Sequence, residues 1–259
     1  MRLRARNRIA LDCEEACPVV AMLRPRSGSQ QWVVAERYAI EPWLAPTEYV
    51  DAFGNLCQRF TLPRGKSVIT AEHEVEVAEQ IDVDTRAALV PAGQLPDETL
   101  QYMLQSRYCP SDMMCERAER IVKGCAPGYA QAQRIAEWIR ENIEYKYGVS
   151  ESSTGALETL KHKAGVCRDF SHVGIALCRS LLMPARFVVG YLHQLDPMDM
   201  HAWYEVFLGG RWFAFDATQA EPRGGRIVVA YGRDAADVAF LSNYGPLEIT
   251  DMDVSVQQV

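Results

Sequence analysis

The residue with most chemical promise is Cys167, in the stretch Gly165-Val166-Cys167-Arg168-Asp169-Phe170-Ser171-His172. Behind it, Phe170, Val173, Gly174, Leu177 and Leu181 recur at three- and four-residue steps, the spacing of an apolar helix face, and Pro184 stops the pattern. A thiol in the first turn of that helix lies among unpaired backbone N–H groups at the positive end of the helix dipole, which favours thiolate over thiol. Cys167 is therefore the expected nucleophile. The other seven of the eight cysteines are expected to fill the core, as free cysteines commonly do.

A nucleophilic cysteine needs a base within hydrogen-bonding reach and a third group to aim that base. Five histidines are available. His172 follows Cys167 by five positions, which places it about 140° further round the helix and off the face of the thiol. His73 stands among glutamates and His162 in a polar stretch, so both are expected at the surface. His193 has no acid near it except Asp196, in a proline-containing loop. His201 has a better partner. If Gly209-Gly210 closes a two-residue hairpin, Leu208 pairs with Arg211, Trp203 with Asp216 and His201 with Thr218, so His201 and Asp216 become diagonal neighbours on one face. Such diagonals lie roughly 7–8 Å apart at the backbone, close enough for a carboxylate to hold one imidazole nitrogen and turn the other toward a thiolate.

The elements that must position these residues follow from the patterning. Arginines at 2, 4, 6 and 8 alternate with Leu3, Ala5 and Ile9, which reads as a half-buried strand with one charged face. Further strands are expected over 18–23, 31–40, 55–62 and 68–77, with turns at 24–29, around Pro42 and Pro46, and at Gly54-Asn55. Residues 82–110 carry weak periodicity broken by Pro91, Gly93 and Pro96, and read as a connection. Helices are expected over 111–123, along the stripe Ala132, Ile135, Ala136, Ile139 and Ile143, and over 153–161. After Pro184 strands return at 187–192, 201–208, 211–218, 227–231 and 247–256, the last changing its apolar parity near Thr250 as a bulge would. The expected organisation is an N-terminal antiparallel β domain with linker over 1–105 and a mixed α and β core over 106–259.

Composition narrows the class. A net charge of −7 argues against non-specific nucleic-acid binding, and no run of apolar residues approaches the length of a membrane span. The N-terminus lacks the basic-then-apolar layout of a secretory signal, so the expected compartment is the cytoplasm, where cysteines stay reduced. No cysteine pair has C-x-x-C spacing and no histidine lies near Cys13 and Cys17, so neither a metal nor another cofactor is expected.

Three blocks together resemble the transglutaminase-like superfamily, specifically the bacterial members described as candidate cysteine proteases. They are Gly165-Val166-Cys167-Arg168-Asp169-Phe170 with Pro184-Ala185-Arg186 after the helix, His201-Ala202-Trp203-Tyr204-Glu205-Val206, and Trp212-Phe213-Ala214-Phe215-Asp216-Ala217-Thr218. The turn Asp51-Ala52-Phe53-Gly54-Asn55 is similar to the β region that precedes the core in this group, and weaker similarity runs through Gly232-Arg233-Asp234 with Asp237-Val238. The resemblance implies an α+β, papain-like core in which the nucleophile helix packs on an antiparallel sheet. It also implies Cys167 as nucleophile, His201 as base and Asp216 as orienter. Asp169, Trp203 and Trp212 match core and cleft positions of the family. The calcium sites of animal transglutaminases have no matching acidic loop here. The expected activity is hydrolysis of a peptide or isopeptide through a thioester. Transfer of the acyl group to an amine, acetyl transfer with coenzyme A, and a silent binding module of the same fold are the alternatives.

Overall fold

The computed structural model describes residues 1–28 and 30–259; Ser29, at the end of the expected 24–29 turn, lies outside the described residues. The N-terminal part holds strands β1 (Arg2–Cys13), β2 (Cys17–Ala21), β3 (Gln31–Glu41), β4 (Thr47–Val50), β5 (Leu56–Leu62) and β6 (Gly65–Val77). Next come α1 (Asp97–Leu100), α2 (Cys115–Ile121), α3 (Tyr129–Asn142), β7 (Glu144–Tyr145), α4 (Ala156–His162), β8 (Ala164–Gly165) and α5 (Cys167–Ser180). The chain closes with β9 (Ala185–Leu192), β10 (His201–Leu208), β11 (Arg211–Phe215), β12 (Arg226–Gly232), β13 (Leu241–Asn243) and β14 (Glu248–Gln258).

Among the described residues these strands form three antiparallel four-stranded sheets, ordered β14-β1-β6-β3, β13-β2-β5-β4 and β11-β10-β9-β12, and one short parallel pair, β7-β8. The first two sheets enclose an apolar cluster that includes Ile9, Leu11, Val19, Leu62 and Ile69. The alternation read from the arginines is observed: Leu3, Ala5 and Ile9 are buried, while Arg4 opposes and bonds Glu74 on β6. β14 pairs with β1 and β13 with β2, so the expected 106–259 core lends its last two strands to the N-terminal sheets. Thr250 is the bulged residue, skipped between the pairs Ala10–Asp251 and Leu11–Ile249.

The third sheet and α5 form the other half of the fold. α5 is buried on every side from Asp169 to Arg179, beyond the single apolar face its spacing indicates. It lies against the sheet face that carries Ala202, Tyr204, Val206, Phe213 and Phe215. Gly174 allows the contact, since a Cβ there would overlap the Tyr204 ring. Arg179, also buried, closes the helix end by donating to the carbonyls of Ala185, Leu104 and Arg233, so its charge sits among satisfied acceptors. Gly209 and Gly210 both take positive φ, +55° and +89°, the conformation of a type I′ hairpin turn. That turn fixes Leu208 opposite Arg211 and carries the register to Tyr204 opposite Phe215. The ladder ends there. The expected pairing of His201 with Thr218 is absent because the Asp216 carboxylate accepts from the Thr218 N–H (3.1 Å) and hydroxyl (2.7 Å) and turns the chain away.

Candidate active site

Cys167 is the first residue of α5 and is half-buried. The turn that presents it is held by Asp169, whose Oδ2 accepts the Val166 N–H at 2.9 Å, the reciprocal half of a capping box. The other Asp169 oxygen takes Arg168 Nε and Nη2 at 3.2 and 3.0 Å. Arg168 in turn donates to the Glu151 carbonyl at 2.8 Å, tying the loop before α4 to the start of α5. Asp169 is fully buried, and its contacts are those of a residue that shapes the helix start.

His201 opens β10 and is 2% exposed. Its Nε2 donates to Asp216 Oδ2 at 2.7 Å, which leaves Nδ1 for the thiol. The same carboxylate oxygen accepts Arg226 Nη2 at 2.9 Å, from the start of β12, and the Arg226 guanidinium lies 4.9 Å over the Trp203 ring. Burial disfavours a charged imidazole at this position. The Asp216 carboxylate, by charge and by hydrogen bond, together with the adjacent Cys167, outweighs that cost and raises His201 from 6.5 to about 9. For Asp216 burial likewise opposes charge, but the cations of His201 and Arg226 hold its carboxyl well below the usual carboxylate range. At neutral pH the structure therefore places an imidazolium between a carboxylate and the sulfur of Cys167.

The remaining histidines stand apart from this cluster. His172 is fully buried, stacks on Tyr108 with ring centres 5.0 Å apart, and accepts the Ala235 N–H at Nε2 (3.2 Å). Burial and then the Arg168 charge push it down to about 3, so it stays neutral. His162 is exposed and His193 half-buried, as read for the former. His73 corrects the expectation of a surface position. It is fully buried, with Nε2 on the Leu23 carbonyl at 2.9 Å, and burial lowers it to about 4. The reason is strand parity: His73 shares the inward face of β6 with Ser67, Ile69, Ala71 and Val75, while the glutamates beside it point outward.

Trp203 is buried and Trp212 half-buried, both on the sheet face turned away from α5. They border a cavity of about 270 Å³ with Glu205 and Arg226, which neither Cys167 nor His201 lines. Trp212 also stacks on Arg186, 4.1 Å away, and Arg186 is paired with the buried Glu205. Arg226 is the site residue that sequence reasoning missed. Its only local signal is a lone arginine between Gly224-Gly225 and the apolar run of β12, and nothing in that spacing points to Asp216.

Comparison with known proteins agrees with this architecture. Residues 116–217 match the model of the transglutaminase-like superfamily core, and residues 15–78 that of the bacterial transglutaminase-like N-terminal region. An uncharacterized protein of Mycobacterium leprae is 30% identical over 92% of this chain and 90% of its own length. An uncharacterized protein of Mycobacterium tuberculosis is 30% identical over 92% of this chain and 85% of its own. A solved structure from Cytophaga hutchinsonii, described as a "Putative Cysteine Protease", superposes with a TM-score of 0.94 at 31% identity, covering 99% of this chain and 90% of that one. A β region built like that of the bacterial relatives, joined to a core whose helix α5 opens on Cys167, makes this chain a member of the transglutaminase-like superfamily.

Proposed function

We propose that the protein is a thiol-dependent amide hydrolase acting on peptides or isopeptides, with Cys167 as nucleophile, His201 as base and acid, and Asp216 as the group that orients His201. The observation that carries this reading is the buried 2.7 Å bond from His201 Nε2 to Asp216, beside a cysteine in the first turn of a helix. The Cys167 sulfur, having given its proton to His201 Nδ1, attacks the substrate carbonyl carbon. A C–S bond forms and the carbonyl π pair moves to oxygen. As that pair returns, the C–N bond breaks and the imidazolium gives its proton to the departing amine. Water then repeats the sequence on the thioester, with His201 taking the water proton and returning it to sulfur. Asp216 stays ionised throughout and stabilises the imidazolium.

Hydrolysis is favoured over amine transfer because a transferase must hold an amine at near-attack distance against water at about 55 M. The loop 193–200 ahead of His201 is short and of mixed polarity. Its sequence offers no closed apolar tunnel for an amine. The reading places this action in the cytoplasm, a compartment that keeps free thiols such as Cys167 reduced. The test is a library of peptides and isopeptides incubated with wild type and Cys167→Ala, with a labelled primary amine added at millimolar concentration. The expected result is cleavage that Cys167→Ala lacks, with free acid as the main product. Turnover retained by Cys167→Ala overturns the triad; amine incorporation with little acid makes the activity that of a transglutaminase.

A further inference from the structure

Where the β region meets the outer face of the third sheet, the surface folds in to form a cleft of about 420 Å³, a volume within the range of small-molecule sites. Cys167, His201 and Asp216 do not line it. For a chain of net charge −7 its charged lining is one-sided: Arg26 and Arg186 border it, and no Asp or Glu does among the described residues. Both arginines are held by neighbours. The Arg186 guanidinium lies between the rings of Trp212 and Tyr231, 4.1 and 3.8 Å from their centres. Its Nε and Nη2 both donate to Glu205 Oε2, at 2.8 and 2.6 Å, so the fork is fixed in direction and Nη1 is left without a partner among the described residues. The Arg26 carbonyl accepts the N–H of the buried Gln31 Nε2 at 2.9 Å, and Arg26 Nη1 donates to the Gly54 carbonyl. Its Nε and Nη2 have no partner among the described residues.

We infer that this cleft binds a carboxylate carried on an apolar body. Guanidinium N–H groups make charge-assisted hydrogen bonds to carboxylate oxygens, and the free N–H groups of Arg26 and Arg186 border one cavity. Charge separates carboxylate from phosphate. Glu205 neutralises Arg186 from behind, and the nearby Asp51 carboxylate is already taken by the N–H groups of Phe53 and Asn55 and by the Asn55 side chain. The positive charge left over is about that of one guanidinium, which matches a singly charged carboxylate and falls short of a phosphate monoester carrying nearly two charges. The half-buried rings of Phe53, Trp212 and Tyr231 supply an apolar wall for the body of the ligand. A free organic acid and the C-terminus of a peptide share this chemistry. The site stands apart from the hydrolase reading, since no member of the triad borders it.

The test is titration calorimetry on the full chain carrying Cys167→Ala, so that no peptide is cut and the result does not depend on turnover. N-acetylphenylalanine is expected to bind saturably at millimolar concentration. Its amide, the same body without the charge, is expected to bind about tenfold more weakly or worse. Added salt should weaken binding of the acid and leave the amide unaffected. Arg26→Gln changes an exposed side chain and should raise the Kd of the acid about tenfold. Arg186→Lys keeps a cation against Glu205 but loses the fork, and should weaken the acid likewise; Arg26→Gln carries the test by itself if the lysine disturbs the fold. A peptide ending in phenylalanine that binds more tightly than N-acetylphenylalanine makes peptide C-termini the source, and equal affinity makes it small organic acids; both outcomes support the site. Equal binding of acid and amide, no saturable heat with the acid, or a folded Arg26→Gln variant with unchanged Kd overturns the inference. Phenyl phosphate binding more tightly than the acid overturns the choice of carboxylate.

Discussion

Replacing Asp216 by Asn keeps the side chain's shape and removes the one negative charge that His201 and Arg226 share. The size of the effect follows from the site. His201 is raised from 6.5 to about 9 against the cost of its burial. A shift of that size makes the charge-dependent bond worth about 3 kcal/mol to the folded state while the imidazole is protonated. At pH 7.5 an imidazole of pKa about 9 is about 97% charged; without the carboxylate, burial takes over and the charged fraction drops below about 10%. Because the folded-state value lies above the unfolded one, this contribution is complete below pH 6.5 and disappears as pH rises through about 9. Asp216→Asn should therefore be destabilised most at mildly acidic and neutral pH, with the gap from wild type narrowing above pH 9. Turnover should fall on the order of 10²- to 10⁴-fold, since the imidazole loses both its aim and its charge support. NMR titration of the His201 ring proton, with the pH profile of Cys167 alkylation, reads both effects in one protein. A variant whose His201 still titrates near 9, or whose alkylation profile matches wild type, would falsify the assignment of Asp216 as the source of the shift.

Three other outcomes are expected. His73 and His172, buried neutral and lowered to about 4 and 3, must take up protons on unfolding. Stability should thus fall as pH drops below 6.5, by about 1.4 kcal/mol per pH unit for each, and urea melts of His73→Leu and His172→Phe should lose their share of that slope. Iodoacetamide at neutral pH should label Cys167 before the exposed Cys115, whose thiol is pushed up by Glu119; peptide mass analysis showing equal rates would contradict an activated Cys167. Gly174→Ala should cost about 1–3 kcal/mol in a denaturant melt, because its methyl group meets the Tyr204 ring where α5 lies on β10; an unchanged midpoint would mean that the helix can retreat without cost.

What the sequence makes legible here is whatever repeats with a fixed period or closes a short loop. Strand parity places Leu3, Ala5 and Ile9 inward, and the two glycines at 209 and 210 fix one hairpin register, from which the approach of Asp216 to His201 follows. The same parity argument carried along β6 places His73 inside; the glutamates around it obscure the pattern because they occupy the alternate face. β4 and β13 leave no readable trace. β4 is exposed along its length, so no apolar alternation marks it, and β13 is three residues long. Arg226 is illegible for a different reason. It reaches the site through a strand pairing between segments far apart in the chain, β12 on β9, and no local spacing encodes such a pairing.

The way β12 is held explains why a β region accompanies this core. β12 is an edge of its sheet, and its outward backbone groups would be unpaired there. Two amide side chains from the N-terminal part take them. Gln31 Nε2 donates to the Val228 carbonyl, and Gln31 Oε1 accepts the Val228 N–H, both at 2.8 Å. Asn55 makes the same exchange with Tyr231, at 2.7 and 2.8 Å. Each amide thus does for one residue what a neighbouring strand would do, on either side of the irregularity between Val228 and Ala230. Both amides are buried, so their bonds are shielded from competing water. Asn55 is in turn fixed by Asp51, whose carboxylate accepts its Nδ2–H and its backbone N–H within the Asp51-to-Asn55 turn. Arg226, two residues before Val228, reaches Asp216 from the strand so clamped. Position therefore passes from the Asp51 turn and Gln31 to β12, from Arg226 to Asp216, and from Asp216 to the imidazole beside Cys167; the β region acts as a brace for the charge network on which the candidate nucleophile depends.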